Sequence, residues 1–272
     1  MTSTTAATTP KPRTAAVNGP LWGRRARDWS MLQEPLIAPA YEAALAHAGV
    51  VAGTRLLDVG CGAGFALRMA ASRGAAVTGI DASASLLAIA RERLPEAELR
   101  DGEIEELPFA TGRFDVVTGF NAFQYAANPV RALAEARRVV KRGGQVVVMT
   151  WGRPEGMAAA QLLAALRPLL PVPPPGAPGP FALSDEMTLR AFATDAGLVV
   201  GEVFDTDTPW TYPDLDTALR ALKSSGVAAR AIDHSGEAAV DAAHAAVFAG
   251  FRRDDGSYRI GATFRCLIAR AE

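Results

Sequence analysis

The sequence predicts an α/β protein in which a doubly wound, mostly parallel sheet of seven strands lies between helices. Between residues 55 and 151, short apolar segments alternate with helical segments, and Gly or Pro marks the changes. One apolar segment, 56–59, continues into a glycine-rich turn and then a helix. Turns of this kind bind ligands at the carboxyl ends of parallel strands. Both observations favour an open sheet with a ligand site at one edge.

The predicted elements follow one another at short intervals. Strands are expected over 55–59, 76–80, 97–100, 114–119 and 145–151, and helices over 36–48, 64–73, 83–93 and 129–141. The alternation ends after residue 151. Two last strands, 198–204 and 258–269, are expected to run antiparallel to each other at one edge of the sheet.

The segment between residue 151 and the sixth strand departs from the regular pattern. A helix is expected over 157–170, followed by a stiff, extended loop over the proline-rich residues 171–180. A second helix is expected over 184–196, with Ser184 as its N-cap and Gly197 as its end.

The chain divides into a tail, a cap segment and one main domain. Residues 1–18 are poor in large apolar residues and contain prolines, which predicts a disordered tail. Residues 19–50 are expected to form an N-terminal cap segment with a helix, and residues 51–272 the main domain. Residues 214–251 exceed the length of an ordinary strand connection, so we expect a helical lid insert there, before the last strand.

Composition narrows the class of protein. The 272 residues have a formal net charge of -1, so no global field favours nucleic acid or an anionic membrane. Two distant cysteines offer neither a disulfide framework nor the spacing of a metal site. No segment reaches transmembrane length. We therefore expect a cytoplasmic protein, a monomer or homodimer, with no metal and no nucleic-acid or membrane partner.

The glycines of the turn indicate the kind of cofactor. Gly60, Gly62 and Gly64 stand at every second position, whereas a dinucleotide fingerprint has the spacing Gly-x-Gly-x-x-Gly/Ala. Phe65 stands where the third small residue of that fingerprint would be, which argues against a bound pyrophosphate. Asp81 ends the second strand, where such folds place a carboxylate on ribose hydroxyls. The turn is therefore expected to bind a cofactor that contains ribose.

Together with segments farther along the chain, this turn resembles the class I S-adenosylmethionine-dependent methyltransferases, especially the small-molecule branch that includes the ubiquinone/menaquinone-type enzymes. The motifs of this resemblance, between about Leu56 and Arg153, are Asp58-Val59-Gly60-Cys61-Gly62-Ala63-Gly64, Gly79-Ile80-Asp81, the segment 102–109, Phe114-Asp115-Val116-Val117, the segment 132–139 and Lys141-Arg142-Gly143-Gly144. The resemblance implies a Rossmann-like methyltransferase domain over 51–272 and S-adenosylmethionine as cofactor. It also implies methyl transfer to an O, N or C nucleophile of a small organic molecule, such as a secondary metabolite or a quinone-like compound.

The resemblance also implies roles for individual cofactor-binding residues. Asp58 would order the turn and face the methionine ammonium, directly or through water, unless it is only a cap or turn acid. Asp81 would accept hydrogen bonds from the ribose diol, unless it only caps the next helix. Glu103 would accept a hydrogen bond from the adenine amino group, although Asp101 could take that role. The remaining predicted cofactor contacts are Gly60, Cys61, Gly62, Gly64, Ala82, the backbone N–H of Ile104, and Asn121 at the methionine end.

The acceptor is expected beside aromatic and amide side chains, each of which could instead pack in the core or a loop. The predicted pocket residues are Trp22, Trp29, Gln124, Tyr125, Trp210 and Tyr212. The sequence identifies no catalytic residue, and the weak candidates are His47, Gln124, Tyr125 and His234. His244 could also act as a base near neutral pH, but a lone histidine on an Ala-rich helix more often has a surface or packing role.

The sequence also bears on functions other than small-molecule methylation. The segment after the fourth strand, Asn121-Ala122-Phe123-Gln124, lacks the Asn/Asp-Pro-Pro-aromatic sequence with which amino-methylating nucleic-acid enzymes resemble one another. A nicotinamide oxidoreductase is disfavoured by Phe65. A protein of the same fold that binds S-adenosylmethionine without methyl transfer, either cyclase-like or regulatory, is the main alternative.

Overall fold

The computed structural model describes residues 14–173 and 179–272. A seven-stranded sheet forms its centre, with strands β1 (Arg55–Val59), β2 (Ala76–Asp81), β3 (Glu98–Asp101), β4 (Phe114–Phe120), β5 (Val140–Trp151), β6 (Val199–Tyr212) and β7 (Tyr258–Arg270). The spatial order is β3-β2-β1-β4-β5-β7-β6. Strands β1 to β5 pair in parallel, whereas β7 lies antiparallel between β5 and β6. The predicted sheet, with its antiparallel pair at one edge, is confirmed.

The described helices lie on both faces of this sheet and at its carboxyl edge. They are α1 (Thr14–Gly23), α2 (Ala26–Asp28), α3 (Ala38–His47), α4 (Phe65–Ser72), α5 (Ala84–Arg93), α6 (Pro129–Val139), α7 (Ala160–Leu166), α8 (Glu186–Asp195), α9 (Leu215–Lys223), α10 (Gly226–Ser235) and α11 (Glu237–Phe248). Helices α9 to α11 connect β6 to β7, where the helical insert is predicted. In the described part of the chain, no helix is long and apolar enough to cross a membrane.

The central strands are buried on both faces because successive side chains of a strand point to opposite sides. Leu56 packs in one apolar cluster with Leu45 and Leu67, from α3 and α4. The next residue, Leu57, belongs to the cluster on the other face with Leu133 of α6. An almost continuously apolar strand therefore suits this position. The polar side chains that could bind a ligand lie at the ends of the strands.

The predicted tail is partly wrong. Residues 1–13 lie outside the described residues, but residues 14–18 begin helix α1. Thr14 Oγ1 and Ala15 N–H donate to the carboxylate of Glu103 at 3.2 and 3.0 Å, so an acidic side chain holds the N-terminus of this helix. Composition could not indicate this contact, because Thr14 and Glu103 are 89 residues apart.

The two segments beyond residue 151 also differ from expectation. The predicted helix 157–170 is α-helical only over Ala160–Leu166 and ends in a 3₁₀ turn at Arg167–Leu169, since Pro168 has no N–H to continue the helix. Part of the predicted stiff loop, 174–178, lies outside the described residues.

The N-cap of α8 is Asp185, not Ser184. Asp185 Oδ1 accepts a hydrogen bond from Thr188 N–H at 3.0 Å, whereas the Ser184 hydroxyl donates to the carbonyl of Phe181 at 2.8 Å. Both residue types suit an N-cap. The Ser184 hydroxyl is thus engaged with Phe181, and Asp185 is the residue that caps the helix.

Strand β6 is eight residues longer at its carboxyl end than predicted, since it ends at Tyr212 and not at residue 204. Asp205 and Asp207 look like loop residues in the sequence, but both have partners on β7. Asp205 is paired with Arg265 at 2.7 Å, and Asp207 Oδ1 accepts a hydrogen bond from Thr263 Oγ1 at 2.7 Å. Cross-strand pairs of this kind stabilise polar residues within a sheet.

Candidate cofactor and acceptor site

Left-handed glycines shape the turn between β1 and α4. The φ angle is +76° at Gly60, +54° at Gly62 and +79° at Gly64. The N–H of Gly60 donates to the Ile80 carbonyl at 2.8 Å, which ties the turn to β2. A Cβ on Gly60 would lie 2.6 Å from Cβ of Ala122. The turn therefore requires glycine for its backbone angles, and at Gly60 also for space.

Asp81, at the end of β2, lies against this turn and lines a cavity. Its Oδ2 accepts a hydrogen bond from Gly62 N–H at 2.8 Å, and its Oδ1 accepts one from Ser83 N–H at 2.7 Å. A carboxylate offers about four acceptor positions in all, so Asp81 keeps acceptor capacity for a ligand hydroxyl. Burial raises the pKa of this carboxyl. The helix cap considered for Asp81 is provided by Ser83, which accepts from Leu86 N–H at 3.3 Å.

Glu103 and Ile104 line the same cavity, but their polar atoms already have partners. The Glu103 carboxylate accepts hydrogen bonds from Thr14, Ala15 and the N–H of Ile104, the last at 3.0 Å. An adenine ring bound by these two residues must therefore share or replace these bonds. Asp101, the alternative to Glu103, is not among the lining residues.

Asp58 lies behind the turn and not in the cavity wall. Its side chain is buried, and its Oδ1 accepts a hydrogen bond from Thr118 Oγ1 at 2.7 Å. Burial, together with the nearby charges of Asp81 and Glu34, raises the pKa of this carboxyl to about 8. Asp58 thus lies outside the cavity wall, and its predicted contact with the methionine ammonium, directly or through water, stays a prediction. Cys61 and Gly64, also predicted cofactor contacts, do not line the cavity either.

A buried ion pair that was not predicted from the sequence stabilises the glycine turn on the side away from the cavity. Glu34 Oε2 pairs with Arg93 Nη1 at 2.6 Å, and the same guanidinium donates to the carbonyls of Ala63 and Ser30 at 2.9 and 2.7 Å. Burial raises the pKa of Glu34 to about 7, although Arg93 opposes the shift. The pair connects the turn, α5 and the segment before α3. No local motif could have indicated it, since Glu34 and Arg93 are 59 residues apart.

One cavity, with a volume of about 200 Å³, extends from the cofactor residues into an apolar region. Of the predicted residues, it is lined by Gly60, Gly62, Asp81, Ala82, Glu103, Ile104, Asn121, Trp22, Trp29, Tyr125 and Trp210. We name its apolar part the acceptor half, which is lined by Trp151, Leu162, Leu166, Trp210, Leu222, His244 and Phe264. Most of these residues were missed. Trp151 could have been found, since it ends β5 at the carboxyl edge where ligands bind.

Two predicted pocket residues lie outside the cavity wall. Tyr212 is buried and donates its hydroxyl hydrogen to Gln33 Oε1 at 2.8 Å. Gln124 donates to Asn121 Oδ1 at 3.0 Å. Asn121 has a φ of +52°, the only positive φ of a residue other than glycine in the described chain. Such strain is concentrated at functional sites, and Gln124 is placed to orient the Asn121 side chain.

The histidines differ in their surroundings. His47 stacks on Phe204 with ring centres 4.0 Å apart and pairs with Glu202 at the surface. His234 is bonded to its neighbour Ser235 at an exposed position. Neither lines the cavity, whereas His244 does. Burial lowers the pKa of His244 to about 4, so its ring is neutral at pH 7.

Comparison with known proteins agrees with this geometry. Residues 57–148 match a family model described as a methyltransferase domain. The chain is 35% identical over 160 residues to the ubiquinone biosynthesis O-methyltransferase of Azotobacter vinelandii, covering 56% of this chain and 68% of that enzyme. It is 36% identical over 155 residues to the Mycobacterium tuberculosis protein Rv1403c, whose function is not characterised. This match covers 56% of each chain, so the protein spans little more than half of that relative.

A solved structure shows the same fold over nearly the whole chain. It is the methyltransferase in complex with the Haloferax volcanii activator Trm112, with a TM-score of 0.58 and 20% sequence identity. The match covers 97% of this chain and 99% of that one.

The chain belongs to the class I S-adenosylmethionine-dependent methyltransferases, in the small-molecule branch. The cofactor of this family fits the site at its ribose end. The open acceptor positions of Asp81 suit a diol, and the bare backbone of Gly60 and Gly62 lies at the same cavity wall. Ala82, Ile104 and the other lining residues would hold the rest of the molecule.

Proposed function

We propose that this protein transfers the methyl group of S-adenosylmethionine to an O, N or C nucleophile of a small organic molecule. The observation that carries the proposal is the continuity of the cavity. Asp81 and Gly62, at the cofactor end, line the same space as Trp151, Trp210 and Phe264. A cofactor and an apolar acceptor can therefore be held side by side.

The protein's own contribution is orientation and exclusion of water. S-adenosylmethionine supplies a methyl group already activated by a positive sulfur. Holding two reactants in line lowers a barrier by roughly 7 to 11 kcal/mol. Trp151 stacks on Phe264 with ring centres 4.8 Å apart and meets Trp210 edge to face at 5.8 Å, which forms a wide apolar wall. This wall supports a ring-containing acceptor, as does the similarity to an enzyme of ubiquinone biosynthesis.

The helical insert closes the acceptor half and supports the predicted role of a lid. Leu222 and His244 of the insert line the cavity. The insert also meets α1, where a Cβ on Gly226 would lie 2.5 Å from the Trp22 ring and where Arg24 pairs with Asp233 at 2.7 Å. We expect α1 and the insert to enclose the acceptor together. A cytoplasmic location and a monomeric or homodimeric state stay predictions from the sequence.

Asp81→Ala tests the cofactor site. Loss of charge-assisted hydrogen bonds worth about 1.5 to 3 kcal/mol is expected to weaken S-adenosylmethionine binding by about 10- to 150-fold in calorimetry. Because the substitution also removes the bonds to Gly62 and Ser83, thermal unfolding of the unliganded variant is measured alongside. Asp101→Ala, an exposed carboxylate nearby, is the control and should bind normally. Wild-type affinity in a folded Asp81→Ala variant would refute the ribose assignment.

Turnover distinguishes methyl transfer from binding alone. Purified protein is incubated with S-adenosylmethionine and a panel of hydroxylated and aminated ring compounds, and S-adenosylhomocysteine is quantified. Formation of S-adenosylhomocysteine that depends on the acceptor supports the proposal. Tight cofactor binding without conversion by any acceptor would favour the non-methylating alternative.

A further inference from the structure

Helix α4 begins directly after the glycine turn and has no side-chain cap of its own. Its N-cap is Gly64, which has no side chain to accept a hydrogen bond, so the first N–H groups of the helix need partners from elsewhere. In folds that bind dinucleotides, the pyrophosphate of the ligand is the partner of these groups. The partner at the start of α4 therefore bears on which ligands this turn accepts.

In this protein a side chain of the same chain supplies the anion at the start of α4. Glu34 Oε1 accepts a long hydrogen bond, of 3.5 Å, from the N–H of Phe65, the first residue of the helix. The same oxygen would lie 3.5 Å from a Cβ on Gly62. Burial raises the pKa of Glu34, and hydrogen bonds from Arg93 and from the backbone of Phe65 and Ala63 oppose that rise. The carboxylate therefore lies against the turn between Gly62 and Phe65.

The carboxylate is held in this place by Arg93. Glu34 is 3% exposed, and its Oε2 pairs with Arg93 Nη1 at 2.6 Å. The same guanidinium donates to the carbonyls of Ala63 and Ser30. Of the two charges, Glu34 is the one closer to Gly62, because no atom of Arg93 lies within 4 Å of the Cβ position there. Gly62 lines the cavity, so a ligand beside it is nearer to the negative charge than to the positive one.

The order of the strands indicates which part of a ligand lies beside Gly62. Strand β2 lies between β3 and β1. A ligand with its adenine near Glu103, after β3, and its ribose on Asp81, after β2, therefore directs its 5′ group towards the turn after β1. Gly62 in that turn donates its N–H to Asp81 at 2.8 Å. The 5′ group of such a ligand thus lies close to the carboxylates of Asp81 and Glu34.

We propose that Glu34 determines the charge specificity of the cofactor site, because its carboxylate occupies the place at the start of α4 that a phosphate group would need. A phosphate beside Gly62 would be repelled by a fixed negative charge, whereas a cationic sulfonium would be attracted by it. Glu34 acts through the turn and is a specificity-determining residue, not a catalytic one. The inference rests on the cofactor of the proposed function and is independent of the acceptor.

Adenosine and ADP test this specificity, because they differ only in the phosphates. Binding to the full-length protein is measured by displacement of S-adenosylhomocysteine at pH 8 without divalent cations. The wild type should bind ADP more weakly than adenosine. Glu34→Gln removes the charge and keeps the size of the side chain, so the affinity for ADP relative to adenosine should rise about tenfold. Structural damage alone would weaken both ligands by the same factor and leave this ratio unchanged.

Two further variants complete the test. Glu42→Gln is the matched control, because it removes an exposed carboxylate of α3 and should keep the wild-type ratio. Glu34→Gln/Arg93→Gln removes both charges of the buried pair, which avoids an unpaired buried cation if the single variant does not fold. It should also raise the ratio, but less than Glu34→Gln does, since the attraction by Arg93 is lost too.

A wild-type ratio in a folded Glu34 variant would overturn the proposal. So would a wild-type protein that binds ADP more tightly than adenosine. Failure of the proposed function would be recognised separately, since a wild-type protein that does not bind S-adenosylhomocysteine would contradict the cofactor itself and this inference with it.

Discussion

Gly60→Ala is the substitution for which the structure predicts the largest effect from a single methyl group. The residue has a φ of +76°, and the added Cβ would lie 2.6 Å from Cβ of Ala122. Ordinary contacts between such atoms are about 3.5 to 4 Å. The two atoms must therefore move apart by roughly 1 Å, in a segment where Ala122 and Asn121 both line the cavity.

Gly60→Ala lowers the free energy of unfolding through two separable effects. A side chain in the left-handed region costs about 1 to 2 kcal/mol. Overpacking a close contact adds about 1 to 3 kcal/mol. The free energy of unfolding should therefore fall by about 2 to 5 kcal/mol. Because the displaced segment bears Asn121, S-adenosylmethionine affinity should fall as well.

A matched glycine isolates the first part. Gly143 has a φ of +74° but nothing within 4 Å of its added Cβ. Gly143→Ala should therefore lose only the conformational part, about 1 to 2 kcal/mol, in urea unfolding. The double variant Gly60→Ala/Ala122→Gly should recover stability relative to Gly60→Ala alone, since the contact is removed. If Gly60→Ala and Gly143→Ala lose the same stability, or the double variant recovers nothing, the steric argument is wrong.

Two further substitutions test the cofactor turn and the contact between α1 and the insert. Gly62→Val places a branched side chain at a left-handed φ of +54°, with its Cβ 3.5 Å from Glu34 Oε1. It should reduce S-adenosylmethionine affinity more than Asp81→Ala does. Normal affinity in calorimetry would contradict the glycine-turn model. Gly226→Ala places a Cβ 2.5 Å from the Trp22 ring. It should lower the turnover of the acceptor with little change in cofactor affinity. Gly250→Ala, whose Cβ would have nothing within 4 Å, is the control and should behave as wild type in both assays.

The features that the sequence predicted well are local ones. The strand, the glycine turn and the helix after it are determined by neighbouring residues, as is the carboxylate at the end of β2. Asp81 therefore lies where expected, 2.8 Å from the N–H of Gly62. The alternation of strands and helices also predicted the sheet, because parallel strands need a crossover between them.

The features that the sequence missed depend on distant partners. Glu103 lines the cavity, and its adenine contact stays a prediction, but the sequence did not indicate that its carboxylate also holds the N-terminus of α1, a helix assigned in part to a disordered tail. Glu34 supports the turn only because Arg93 reaches it across the fold. His244 lines the cavity where α11 packs beside α7, and nothing around it in an Ala-rich helix indicates a site. Such contacts arise from tertiary packing, which periodicity and motifs do not describe.

Asp58 offers a test of the site's electrostatics through pH. Its pKa in the folded protein is about 8, against about 3.9 in an unfolded chain. Between these values the folded state holds a proton that the unfolded state releases, so the free energy of unfolding should decrease as pH rises, by up to about 1.4 kcal/mol per pH unit for this group. Glu34, with a pKa of about 7, adds to the same trend up to that pH.

Asp58→Asn removes this contribution while keeping an oxygen for the hydrogen bond from Thr118. In urea unfolding at pH 5, 6, 7 and 8 without cofactor, the variant should lose less stability with rising pH than the wild type, and at pH 8 it should be the more stable of the two. Asp101→Asn, an exposed carboxylate outside the cavity wall, serves as the control and should keep the wild-type slope. An unchanged slope in Asp58→Asn would mean that Asp58 is ionised in the folded protein. An ionised carboxylate is what a direct contact with the methionine ammonium requires, one of the two forms of contact that the sequence predicts, and the buried, Thr118-bonded position of the side chain argues against it.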